Sequence, residues 1–119
     1  MRVLIIDDDR DVSQLMSLLV DHLGHEAKAL TVPQAAIEIA KNWQPELVLL
    51  DLAMPGMNGH EVAKQLREYA GLAKARIIAV SAHQPDGDKE TAAGIDAHLV
   101  KPLTTEQLAK LLDEPSGPR

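Results

Sequence analysis

Val3-Leu4-Ile5-Ile6, Leu47-Val48-Leu49-Leu50 and Ile77-Ile78-Ala79-Val80 are four-residue runs with no polar side chain on either face. Successive strand side chains point to opposite sides, so such runs can be buried only in a sheet covered on both faces. Between them stand stripes at helical spacing. The first is Val12, Leu15, Met16, Leu19 and Leu23, ending at Gly24. The second is Val32, Ala35, Ala36, Ile39, Ala40 and Trp43, broken by Pro45. The third is Val62, Ala63, Leu66 and Tyr69, stopped near Gly71. Thr31 with Gln34 has the spacing of a capping box, with Pro33 in the first turn. Thr104 with Gln107 repeats it ahead of Leu108, Leu111 and Leu112. Residues 26–30 alternate and residues 97–100 form a short run, as sheet edges do. Pro and Gly mark loops at 54–59 and 85–87, the second before a poor helix through Ala93. The pattern is βα five times, an α/β doubly wound parallel sheet with strand order 2-1-3-4-5.

At 119 residues the chain is one domain's length. Residues 1–112 carry the periodic pattern, and 113–119 have the composition of a tail or linker. The absence of cysteine removes disulfides, thiolate metal sites and cysteine nucleophiles together. A net charge of −6 with no basic block argues against nucleic acid as a partner. No apolar run reaches the length of a membrane span, and Met1-Arg2-Val3 enters a strand pattern at once, so a cytoplasmic protein is expected.

In an open α/β sheet the ligand crevice lies beyond the carboxyl ends of the central strands. The apolar runs stop there at Asp7-Asp8-Asp9, Asp51, Ser81 and Lys101. Adjacent strands are about 4.8 Å apart, so the carboxylates converge and repel unless a positive charge sits among them. Oxygen ligands without nearby His or Cys select a hard cation such as Mg2+. Any one of these aspartates alone reads as a helix cap or turn residue. Four strand ends aimed at one crevice are harder to explain that way.

Taken in order, Val3 to Asp9, Asp51-Leu52-Ala53-Met54-Pro55-Gly56-Met57-Asn58-Gly59-His60-Glu61, Val80-Ser81-Ala82 and Val100-Lys101-Pro102-Leu103-Thr104 resemble the receiver domains of two-component response regulators. The resemblance spans Arg2 to about Leu112 and implies a flavodoxin-like (βα)5 fold. It implies that Asp51 is the phosphoacceptor, taking a phosphoryl group from a histidine kinase or a histidine phosphotransfer domain. It further implies that Asp8, Asp51 and the Ala53 backbone carbonyl bind Mg2+ or Mn2+ directly, with Asp7 acting through water. Ser81 would hydrogen-bond the phosphoryl group and Lys101 would pair with it and bridge to Asp51. Lys101-Pro102 would be cis. A domain of this kind is a signalling receiver that catalyses only its own phosphorylation and dephosphorylation. Its output is a change in the face made by the fourth helix, fifth strand and fifth helix, passed to a downstream target that the sequence does not name.

The chain departs from the family at four places. Position 98, where an aromatic switch residue is usual, is His98; histidine occurs there in receivers attached to hybrid kinases. Leu103 replaces a common phenylalanine. Ala53 and His83 occupy the positions that tune hydrolysis of the phosphoryl group. Three alternatives bear comparison. A haloacid-dehalogenase phosphatase needs Thr or Val where Asp11 stands. A flavodoxin-like binding module needs a glycine- and hydroxyl-rich loop after the first strand, where three carboxylates stand instead. A receiver used only for docking needs no intact Asp7, Asp8, Asp51, Ser81 and Lys101. His22 and His25 make at most a weak metal pair, and His60, Met54 and Met57 read as surface and packing residues.

Overall fold

A computed structural model describes residues 1–54, 58–82 and 87–113. The described strands are β1 (Arg2–Ile6), β2 (Glu26–Leu30), β3 (Leu47–Asp51), β4 (Arg76–Ser81) and β5 (Ala97–Val100). The helices are α1 (Arg10–His22), α2 (Ala36–Trp43), α3 (Gly59–Tyr69), α4 (Gly87–Ala93) and α5 (Thr105–Asp113). All strands are parallel and the order is β2-β1-β3-β4-β5, as the apolar runs require. The three unbroken runs take the central places and the alternating and short segments take the edges.

Strand alternation divides the core in two. Leu4, Ile6, Val48, Leu50, Ile77 and Ala79 face α2, α3 and α4, where Ala36, Ala40, Val62, Leu66 and Ala93 meet them. Val3, Ile5, Leu47, Leu49, Ile78 and Val80 face α1 and α5, where Met16, Val20, Leu108, Leu111 and Leu112 close the layer. The small residues of α2 let that helix sit close on the sheet. Gly59 does the same for α3. A Cβ there would lie 2.7 Å from the Leu52 Cα and 3.2 Å from the Asp51 carbonyl, so α3 begins hard against the end of β3.

The capping box before α5 forms as expected. The Thr104 N–H donates to Gln107 Oε1 at 2.9 Å, and the Gln107 N–H donates to Thr104 Oγ1 at 3.1 Å. The one expected at Thr31 does not. Pro33 opens a 3-10 turn (Pro33–Ala35) whose cap is Val32, and α2 proper starts at Ala36, again without a side-chain cap. Thr31 is thus one residue too early. Asp9 caps α1 instead, accepting from Asp11 N and Val12 N.

Two arginines act inside the frame. Arg76, at the start of β4, is fully buried and donates to the Leu111 carbonyl in the last turn of α5. Arg67, near the end of α3, donates to the carbonyls of Leu72, Ala75 and Gly94 and pairs with Asp96 at 2.9 Å. Asp96 in turn accepts the Ile77 N–H at 2.9 Å. One guanidinium therefore joins the end of α3, the entry to β4 and the turn between α4 and β5.

Candidate functional site

The carboxyl ends of β1, β3 and β5 deliver Asp7, Asp51 and Lys101 to one place. Asp7 and Asp51 are buried, at 3% and 6% exposure, because each follows directly on an apolar strand. Asp7 Oδ1 accepts the Asp9 N–H at 2.9 Å, and Asp51 Oδ1 accepts the Ala53 N–H at 2.9 Å. Each carboxylate is thus aimed by its own following turn, leaving the second oxygen for the crevice. Lys101 Nζ donates to both of those second oxygens, to Asp7 Oδ2 at 2.9 Å and to Asp51 Oδ2 at 3.4 Å. The ammonium stands closer to Asp7 than to Asp51. Partial burial pulls the Lys101 pKa down, but its hydrogen bond and charge attraction to Asp7, with those of Asp51, more than offset this. The net result lies above the ordinary lysine value, so the side chain is a cation at neutral pH.

Asp8 completes the cluster from the solvent side. Asp7, Asp8 and Asp51 each offer a carboxylate oxygen, and the three atoms lie within 4.8 Å of one another. No other group of three or more such side chains is placed to share an ion among the described residues. Three carboxylates and no nitrogen or sulfur donor suit a hard divalent cation. One ammonium cannot neutralise three carboxylates, and the excess negative charge favours such an ion.

Ser81 ends β4 at the same edge, one residue beyond Val80, which is paired with Asp51. Its hydroxyl-bearing side chain is buried, and its carbonyl accepts the Lys101 N–H at 2.8 Å. The Lys101-Pro102 bond is cis. Ala53 is exposed beside Asp51. His83 lies outside the described residues, as do Met57 and residues 114–119. His98 is set back from the crevice, in register with Ala79, and its Nδ1 meets the Glu90 carboxylate at 2.8 and 2.9 Å. Neither His22 nor His25 belongs to a group of three or more potential ligands among the described residues. His22 is exposed and His25 Nδ1 is 2.7 Å from the Met1 amine. His60 Nε2 is buried and has no partner among the described residues.

Glu90 is the residue that sequence reading passes over. A faint signal exists: it stands three positions before Ala93, so a helix through both puts them on one buried face.

The sequence matches the response regulator receiver domain family over residues 3–113. The chain belongs to that family. Among receivers, it is 35% identical over 118 residues to the nitrate/nitrite response regulator protein NarL of Escherichia coli (strain K12), covering 94% of this chain and 53% of NarL. It is 32% identical over 121 residues to the virulence sensor protein BvgS of Bordetella bronchiseptica, covering 96% of this chain and 10% of BvgS. The chain therefore spans about half the length of one such relative and a tenth of another. The structure superposes on the chemotaxis protein CheY4 of Vibrio cholerae with a TM-score of 0.87 at 26% identity, covering 93% of this receiver and 94% of that chain. This receiver domain is thus one of two-component signalling with the five-stranded fold of its relatives. No described helix is long and apolar enough to cross a membrane.

Proposed function

We propose that this receiver accepts a phosphoryl group on Asp51 from a phosphohistidine donor, a histidine kinase or a histidine phosphotransfer domain. The observation that carries the reading is the Asp51 carboxylate. It is buried at a strand end, one oxygen held by the Ala53 N–H and the other facing Lys101, with two further carboxylates within 4.8 Å. In the transfer, a carboxylate oxygen of Asp51 forms a bond to phosphorus as the bond from phosphorus to the donor's imidazole nitrogen breaks. The electron pair of that bond stays with the imidazole. A carboxylate attacking an anion needs its repulsion offset, and catalysis here is mostly positioning and charge neutralisation.

Lys101 supplies one positive charge and can exchange its Asp7 contact for a phosphoryl oxygen. Ser81 supplies a donor from the neighbouring strand. Asp7, Asp8, Asp51 and the Ala53 carbonyl would hold Mg2+ or Mn2+, which supplies further charge neutralisation when bound. Ala53, two residues beyond Asp51, and His83, two residues beyond Ser81 in the sequence, would tune loss of the phosphoryl group by hydrolysis. The chain turns over no separate substrate in this reading. It acts in the cytoplasm, contacts neither nucleic acid nor membrane itself, and passes its state to a target through α4, β5 and α5. Residues 1–112 form the receiver and 113–119 a tail or linker.

Incubation with acetyl phosphate and Mg2+, read by intact mass, tests this directly. One phosphoryl addition is expected for the parent, none for Asp51→Asn, and none for the parent in EDTA. Equal labelling of the parent and Asp51→Asn would place the acceptor elsewhere.

A further inference from the structure

We propose that Glu90 is a positioning residue. It holds the His98 side chain inward and latches α4 to β5. The side chains of Glu90 and His98 are 7% and 5% exposed, and they meet each other with both carboxylate oxygens within 2.9 Å of Nδ1. A carboxylate only accepts, so Nδ1 carries the proton. Burying a carboxylate is costly unless it is paired, and the His98 ring supplies such a partner to Glu90.

α4 is a short element with a small buried face. It is seven residues long, too short to be stable alone, and its other buried side chain is only the methyl of Ala93. Its C-terminal end is fixed by Arg67 on the Gly94 carbonyl. Its body is fixed on β5 by Glu90. The position in the chain gives the contact its meaning. Ser81 ends β4, α4 follows, and β5 carries His98 three residues before Lys101. The pair thus joins the helix that follows one site residue in sequence to the strand that delivers the next. Ser81 and His98 also share a sheet face: Ala79 and Ser81 point to one side, and His98 is in register with Ala79. Ser81 also holds the strand end directly, its carbonyl accepting the Lys101 N–H at 2.8 Å.

The inference deepens the reading above by adding Glu90 to the residues that set the α4 and β5 face. It is tested in the resting protein, so that the two can fail separately. In the parent, long-range nitrogen–proton NMR of the His98 ring is expected to show a proton on Nδ1. A ring protonated only on Nε2 would overturn the proposal, since no bond to a carboxylate could then exist. In Glu90→Ala, amide exchange across 87–93 is expected to quicken by about tenfold or more, while α2 and α3 keep their rates. Glu90→Gln, which keeps the shape and one acceptor, is expected to fall between the two. Unchanged exchange in both variants would overturn the latch, and so would loss of protection spread evenly over the whole domain. Labelling of Asp51 by acetyl phosphate is expected to persist in both variants. Should the parent itself take no label, the reading of Asp51 fails, and the ring and exchange measurements still decide the latch.

Discussion

Asp8 is the carboxylate whose charge can be removed at least structural expense. Asp7 and Asp51 are buried and bonded to Lys101, whereas Asp8 is exposed and makes no hydrogen bond among the described residues. Its oxygen lies within 4.8 Å of both others. In water-like surroundings each such pair repels by about 0.9 kcal/mol or more, and salt screening together with the Lys101 charge takes part of this away. Asp8→Asn should therefore stabilise the metal-free protein by about 1 kcal/mol, or about 4 °C in Tm for a domain of this size. Thermal unfolding followed by circular dichroism in EDTA at low salt gives the number. The gain should shrink when the salt is raised. Adding Mg2+ should raise the parent's Tm and raise that of Asp8→Asn much less. Asp7→Asn is the contrast, because it also breaks the 2.9 Å bond to Lys101 and should gain nothing. If Asp8→Asn melts no higher than the parent in EDTA at low salt, the acidic cluster is not a source of repulsion and the reasoning fails.

Other consequences can be measured on the same protein. Gly59→Ala forces a methyl against the Leu52 backbone and should cost about 1–3 kcal/mol in urea unfolding; a neutral result would mean α3 can back away from β3. Thr104→Ala removes half of the reciprocal cap on α5 and should cost about 1 kcal/mol by the same assay, with no change leaving the cap without energetic weight. The Lys101 pKa is raised in the folded state, so the stability it contributes is fully present below the unfolded lysine value, near 10.4, and is lost as pH rises through the folded value. Lys101→Met should flatten the alkaline fall in Tm above that point, and an unaltered alkaline limb would show that another group controls it.

The sheet was legible because Val3–Ile6, Leu47–Leu50 and Ile77–Val80 are apolar on both faces, and only a parallel sheet covered on both sides accepts that pattern. The crevice followed, since strand ends converge wherever strands are parallel neighbours. What escaped was set by contacts with no period in the sequence. Arg76 is buried at the start of β4 and donates to the Leu111 carbonyl of α5, a contact that no periodic pattern marks. Thr31 has the right spacing for a cap, but Pro33 begins its own 3-10 turn and moves the helix start beyond it. Lys101 was expected to bridge to Asp51, and its stronger bond to Asp7 depends on side-chain reach that strand order alone does not specify. Glu90 and His98 are eight residues apart across a turn, a separation that neither helix nor strand spacing joins.

The strand order has a consequence for the chain as it leaves the ribosome. β1 is made early but sits near the middle of the sheet, so one of its edges stays unpaired until β3 has been synthesised. By then Asp7, Asp8 and Asp51 all exist, while Lys101, carried just past the last strand, does not. The nascent domain therefore passes through a stage in which three anions are drawn together by the pairing of β1 with β3 and no lysine is yet there to bridge them. Electrostatics opposes early closure of that corner and rewards it once residue 101 has emerged, so the acidic end of the sheet is the part expected to set last.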